Sequence, residues 1–295
     1  MNDDDKPLTA AASTLAVGLC ALWGLGQIAM KVATTGMSPV FLAGARSLIA
    51  ALLLMAWIAI RRLPVYRRDG TLGWGVLAGL VFALEFVCLF IGLQYTQAAR
   101  ATLMLYSAPF FVAIGTHWLV PNDRISATRL GGLACAFVGL IVAFFDRLGT
   151  ADALGLLGDA LCLGAAALWG MTTVLIKATP LRSLLPEKNL LYQLGVSAIA
   201  LLALAALLGE PGLHAPSPRV IASFLYVTVI IAGASYLAWF GLVSRYRATT
   251  LHAFTFLTPV FGVVAARLLL DEPITAALAI ALVLIATGIV LVNRG

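Results

Sequence analysis

No charge occurs from residue 7 to residue 30, and that opening sets the pattern for the whole chain: long apolar runs separated by short polar, glycine- and proline-containing clusters. Ten such runs can be drawn, roughly 8–33, 38–60, 71–96, 98–120, 126–145, 153–178, 187–209, 218–243, 248–270 and 273–292. A helix of about 20 apolar residues crosses the hydrocarbon core of a bilayer. The pattern predicts an all-α polytopic membrane protein with ten transmembrane helices and no domain outside the membrane. The flank MNDDDKP is acidic, and no small-residue cleavage site follows the first run, so that run is expected to remain as the first helix rather than act as a signal peptide.

The runs come in two sets. ALWGLGQIAMKVA at 21–33 returns as ALWGMTTVLIKAT at 167–179, so Trp23, Gly24 and Lys31 recur as Trp169, Gly170 and Lys177. Gly18 recurs as Gly164, Pro109 as Pro259 and Gly139 as Gly288, and NDRIS at 122–126 answers DEPIT at 271–275. Residues 8–146 and 153–292 read as two copies of a five-helix unit. Five is odd, so the copies lie in the membrane upside down relative to each other. Inverted repeats characterise secondary transporters, whose site lies between the halves near the midplane. A duplication kept only for folding is the alternative.

Composition agrees with a membrane protein. Hydrophobic residues make up 62% and charged residues 11%, with a mean hydropathy of +1.01, against about 25% charged in a soluble domain. The net charge of +6 raises the question of nucleic acid, but its distribution points elsewhere. With the N-terminus in the cytoplasm, Lys31, Arg100, Arg147, Arg219 and Arg267 fall outside, Arg46 lies within the second run, and the remaining thirteen Lys and Arg residues fall inside. This positive-inside bias puts both termini in the cytoplasm. No nucleic-acid partner is implied; membrane lipid and a small-molecule substrate are. Cys20, Cys88, Cys135 and Cys162 sit in apolar runs as packing residues, and the scattered His117, His214 and His252 give no metal-ligand cluster. No Walker motif occurs, and no cofactor is expected.

The ordered set ALWGLGQIAMK, SPVFLAGARSLIAALLL, GLQYTQAARATLMLYSAPFF and TPVFGVVAARLLLDEPIT resembles the drug/metabolite transporter superfamily, in its ten-helix EamA-type branch, over nearly the whole chain. One departure is Asn122-Asp123-Arg124, where the second copy has Asp271-Glu272-Pro273. The resemblance implies a transporter rather than an enzyme.

Candidate site residues follow from polarity at membrane depth. Pro109 and Pro259 fall mid-run, where each removes a donor and frees the carbonyl four residues back, at Leu105 and Thr255. Matched interruptions in two halves point to a transport site; a kink for packing is the alternative. Three residues before each lie Tyr106 and Phe256, expected to line the path. Trp23, Gln27 and Lys31 share one helix face, and Trp169, Thr173 and Lys177 repeat it; the Trp-Gly pairs also suit close helix contact. The two lysines lie at helix ends on opposite membrane faces, as gates or as anchors reaching headgroups.

Glu85 is the one charge of its run and Arg46 of its own. An acidic residue at the bilayer centre is costly and tends to be functional. Glu85 could hold a substrate ammonium, carry a proton or pair with Arg46. In AGASYLAWFGL at 232–242, Tyr236 and Trp239 face one way, with flat apolar rings bearing one polar atom each. Glu85 with Tyr106, Tyr236 and Trp239 resembles the aromatic amino acid exporter branch. That resemblance implies export of amino acids, aromatic or other hydrophobic neutral ones, and of similar metabolites by alternating access. A multidrug or nucleotide-sugar carrier is the rival within transport, and a polytopic membrane enzyme the rival outside it.

Overall fold

The computed structural model describes residues 8–66, 69–96, 98–120, 124–145, 152–270 and 276–294. The chain is all-helical, with α1 (Ala10–Ala33), α2 (Pro39–Arg61), α3 (Leu72–Tyr95), α4 (Ala98–Leu105), α5 (Ala108–Leu119), α6 (Ala127–Phe144), α7 (Ala153–Ala178), α8 (Pro186–Leu207), α9 (Pro218–Leu225), α10 (Tyr236–Val243), α11 (Ala248–Phe254), α12 (Leu257–Leu270) and α13 (Ala276–Arg294). Nine stretches among the described residues are long and apolar enough to cross a membrane, and Ala279–Arg294 adds a shorter one. Away from their ends, helices satisfy their backbone donors and acceptors internally, which a bilayer demands.

Local chemistry sets the ends. The side chains of Thr9, Ser126, Asp152 and Ser217 each accept a backbone N–H in the first turn of the helix that follows, the usual filling of orphan donors. Pro39, Pro186 and Pro218 open their helices, where a missing N–H costs nothing.

Among the described residues, three of the ten runs are not continuous α-helix. The fourth breaks at Tyr106–Ser107 between α4 and α5, and the ninth at Thr255–Phe256 between α11 and α12, each just ahead of its proline. The eighth run carries a π-helical stretch, Tyr226–Ser235, between α9 and α10. Nothing in the sequence pattern announces that third interruption. The correspondence drawn between 122–126 and 271–275 lies largely outside the described residues.

The fold is two inverted five-helix repeats, and the helix pairing carries their symmetry. α1 packs on α12 as α7 packs on α5; α3 packs on α7 as α9 packs on α1; α3 meets α8 as the π stretch meets α2. The pairs α2–α8 and α6–α13 join counterparts to each other, and α5–α11 joins the fourth run to the ninth. Small residues make the approaches possible. A Cβ on Gly24 would lie 2.7 Å from the Gly262 amide nitrogen, and one on Gly170 would lie 2.8 Å from the Phe111 Cβ. Gly75 and Gly79 lie against Tyr192 and Val196 of α8.

Candidate functional site

Between the halves lies a cavity of about 760 Å3. Lys31, Thr34 and Gln94 line its mouth, and Lys31 and Gln94 are exposed. The other end of the bundle is shut. There Thr173 Oγ1 and His252 Nε2 are 3.0 Å apart, Thr116 and Thr249 hydroxyls 3.1 Å, and Thr9 and Tyr246 hydroxyls 3.3 Å. The cavity therefore opens at the Lys31 end only.

Its inner wall is aromatic. Edge-to-face contacts run from Phe86 to Phe82, Tyr236, Trp23, Trp239, His252, Trp169 and Tyr106, with ring centroids 5.0–6.3 Å apart. Such geometry lets the positive ring edge meet the negative ring face. Polar atoms fix the belt. Trp23 Nε1 donates to Ser235 Oγ at 2.8 Å, and Ser235 Oγ donates to the Ile231 carbonyl at 2.7 Å. Gln27 Nε2 donates to the Tyr106 hydroxyl at 2.8 Å. The π stretch supplies Ser235 and aims Val227 and Ile231 at the cavity, in keeping with the occurrence of π-helical turns at functional sites.

Trp23, Gln27, Lys31, Glu85, Tyr106, Trp169, Tyr236, Trp239 and Pro259 all line this cavity. Two residues do not behave as the sequence suggested. Phe256 is 0% exposed and packs between Phe110 and Phe137, at centroid distances of 6.5 and 6.3 Å; it belongs to the hydrophobic core, not to the lining. The helix breaks explain this. α4 ends four residues before Pro109, whereas α11 ends five before Pro259, and one residue turns a side chain about 100° around a helix. Lys177 is 5% exposed, absent from the cavity lining and buried at the shut end rather than extended to a headgroup. Pro109 opens α5 without lining the cavity.

The sequence reading gave no site role to Gln193 or His252 and weighed Arg46 only as a partner for Glu85. Arg46 and Gln193 line the cavity, each seven residues beyond the proline that opens its helix, Pro39 or Pro186. That shared offset was the available signal. Arg46 is 1% exposed, with its Cζ 4.4 Å from the centroid of Phe86. Glu85 is 7% exposed and near enough to feel the Arg46 charge. Among the described residues the two form no ion pair, and Arg46 Nε and Nη2 and Glu85 Oε2 have no hydrogen-bond partner. Among the described residues no three His, Cys, Asp or Glu side chains converge as metal ligands.

Two ionic clamps lie away from the cavity. Arg100 pairs with Asp159, which also accepts from Thr96 Oγ1 at 2.6 Å, tying the α3–α4 corner to α7. At the shut end Lys188 Nζ donates to Asp69 Oδ2 at 2.7 Å. That bond, with help from the Thr71 hydroxyl, holds the Asp69 carboxyl down at about 2.

The EamA-like transporter family model matches this chain twice, over residues 11–145 and 156–294. The chain belongs to the EamA-like transporter family. It is 30% identical over 292 residues to the uncharacterized transporter YvbV of Bacillus subtilis, covering 97% of this chain and 92% of that protein. It is 27% identical over 282 residues to a probable amino-acid metabolite efflux pump of Escherichia coli, covering 93% and 92%. A solved crystal structure only 18% identical shares the fold, with a TM-score of 0.81 and 96% of each chain covered. The matched breaks at Tyr106–Ser107 and Thr255–Phe256 thus lie in an EamA-like chain that encloses a single-ended cavity between its halves.

Proposed function

We propose that this EamA-like protein is a secondary transporter that exports amino acids, chiefly aromatic or other hydrophobic neutral ones, across the inner membrane by alternating access. The observation that carries the reading is the cavity between the halves, open at the Lys31 end and shut at the Lys177 end, with Glu85 set in an aromatic wall. Its volume of about 760 Å3 falls in the range of small-molecule sites, about 300–1,000 Å3. Trp23, Trp169, Tyr106, Tyr236 and Trp239 receive the apolar part of the substrate, and Gln27 and Glu85 its polar part. Lys31 and Lys177 take the gate positions, one in the open mouth and one in the closed end. The repeat units run from 8 to 146 and from 153 to 292, and both termini lie in the cytoplasm, so the conformation described faces outward. Similarity to an amino-acid metabolite efflux pump supports the substrate class. A nucleotide-sugar carrier fits less well: a pyrophosphate calls for several deep cations, and Arg46 is the one deep cation of the cavity lining.

The test is counterflow in proteoliposomes with a panel of amino acids, drugs and nucleotide sugars, with sided labelling of tags at both termini. Counterflow confined to amino acids, with both tags reached only from the cytoplasmic side, is expected. Counterflow of drugs or nucleotide sugars alone would replace the substrate class, and an externally labelled C-terminus would overturn the orientation.

A further inference from the structure

We infer that Arg46 is the carboxylate-binding residue of the cavity and acts opposite Glu85, so that the site takes a zwitterionic α-amino acid held at both ends of its backbone. The inference rests on the export reading above and deepens it by naming the residue that receives the substrate carboxylate. Arg46 lies about 10 Å along α2 from its start, and Glu85 about 15 Å from the end of α3, so both sit deep in the membrane.

Arg46 is almost wholly buried, yet Nε and Nη2 have no partner among the described residues. Phe86 holds the flat face of the guanidinium, with Cζ 4.4 Å from the ring centroid. Tyr236 is also near, with its ring centroid 6.0 Å from Cζ, and the Nε–Nη2 edge of the fork is left without a partner. That edge presents parallel N–H groups, the geometry that binds a carboxylate through both oxygens. Glu85 Oε2 is likewise unpartnered, and the two residues do not neutralise each other by direct contact. A cationic guest would leave Arg46 uncompensated, and an anionic one would leave Glu85 so. A zwitterion answers both, with its side chain directed to the aromatic wall. Gln193 holds the place of Arg46 in the second repeat, and its Oε1 also has no partner. The neutral counterpart means that one carboxylate is read, from one side.

The experiment uses three probes: L-phenylalanine, 3-phenylpropionate with the carboxylate alone, and phenethylamine with the ammonium alone. Binding to the purified full-length protein is followed by tryptophan fluorescence, and transport by counterflow in liposomes. Arg46→Gln should weaken L-phenylalanine and 3-phenylpropionate about ten- to a hundredfold, the effect of losing one hydrogen bond to a charged group. It should not weaken phenethylamine, which also certifies the fold. Glu85→Gln should do the reverse. Where Arg46→Gln does not fold, Arg46→Lys keeps the charge without the fork and should still weaken 3-phenylpropionate more than phenethylamine. Equal weakening of both probes, or unchanged L-phenylalanine binding in either Arg46 variant, overturns the assignment while export stands. A wild-type protein that carries no amino acid at all overturns the export reading and this assignment together.

Discussion

Replacing Gly24 by alanine should destabilise the protein, while the same change at Gly18, six residues earlier on the same helix, should not. A Cβ at Gly24 would stand 2.7 Å from the Gly262 amide nitrogen, 2.8 Å from the Thr258 carbonyl oxygen and 2.9 Å from the Phe261 Cβ, where ordinary contact begins at 3.4 Å. Two of those atoms are backbone, so no rotamer change relieves the clash, and α1 must back away from α12 by about 0.7 Å. Overpacking of this kind costs about 1–3 kcal/mol. A Cβ at Gly18 meets nothing within 4 Å. Both variants share the gain of about 1 kcal/mol from replacing a helical glycine, so comparing them isolates the packing cost. At about 2–4 °C per kcal/mol, Gly24→Ala should unfold roughly 2–12 °C below Gly18→Ala in one detergent, read by intrinsic fluorescence on heating. The second copy offers an internal repeat: Gly170 is crowded by Phe111 and Val112, and Gly164 meets nothing. Equal midpoints for the Gly24 and Gly18 variants would mean that the α1–α12 approach is not tight and would refute the packing account.

Two further outcomes follow. Pro109→Ala with Pro259→Ala restores two donors and removes the blocks that end α4 and α11, so the protein should stay folded yet transport at least about tenfold more slowly, given that proline opposes a continuous helix by about 3 kcal/mol; wild-type rates would demote both prolines to packing. Asp69 has its carboxyl lowered from 3.8 to about 2 by the Lys188 bond, so its stabilisation is complete above about pH 4 and lost as pH falls through 2; the midpoint difference between wild type and Asp69→Asn should shrink across that window, and a difference independent of pH would remove the Lys188 contact as its source.

Most of the architecture was legible because its cause is local. Ten apolar runs announce ten spans, and a mid-span proline announces a break, since the lost donor needs no tertiary context. What escaped depends on the other half of the molecule. The π stretch at Tyr226–Ser235 contains no proline; it is held where Trp23 bonds Ser235 and Ile231 lies against Gly26, and those contacts span about two hundred residues of chain. Phe256 was misplaced because repeat position stood in for environment, and the two breaks differ by one residue. Lys177 was expected to resemble Lys31. The two occupy opposite states of access, one in an open mouth and one in a closed end, a difference that no single-chain pattern can encode. Arg46 was visible as an isolated charge but was weighed only as a partner for Glu85; that they stand unpaired in one cavity is a matter of geometry alone.

The seam between α6 and α13 has a consequence for how the bundle moves. A Cβ on Gly132 would meet the Gly288 carbonyl at 2.7 Å, and one on Gly139 would meet the Ala281 carbonyl at 2.9 Å. Under the exchange that carries the first repeat onto the second, Gly132 becomes Ala281 and Gly288 becomes Gly139, so each of these contacts is the image of the other. The seam is a fixed point of the exchange: on the alternating-access reading it would look the same in both conformations. Contacts such as α1–α12 and α5–α7 are swapped by that operation and must be rebuilt, whereas the seam need not be. At these glycines backbone meets backbone, with Val292, Leu284 and Ile285 packed beside them. On the alternating-access reading proposed above, these two helices would serve as an axle, a place where the exchange has little to change.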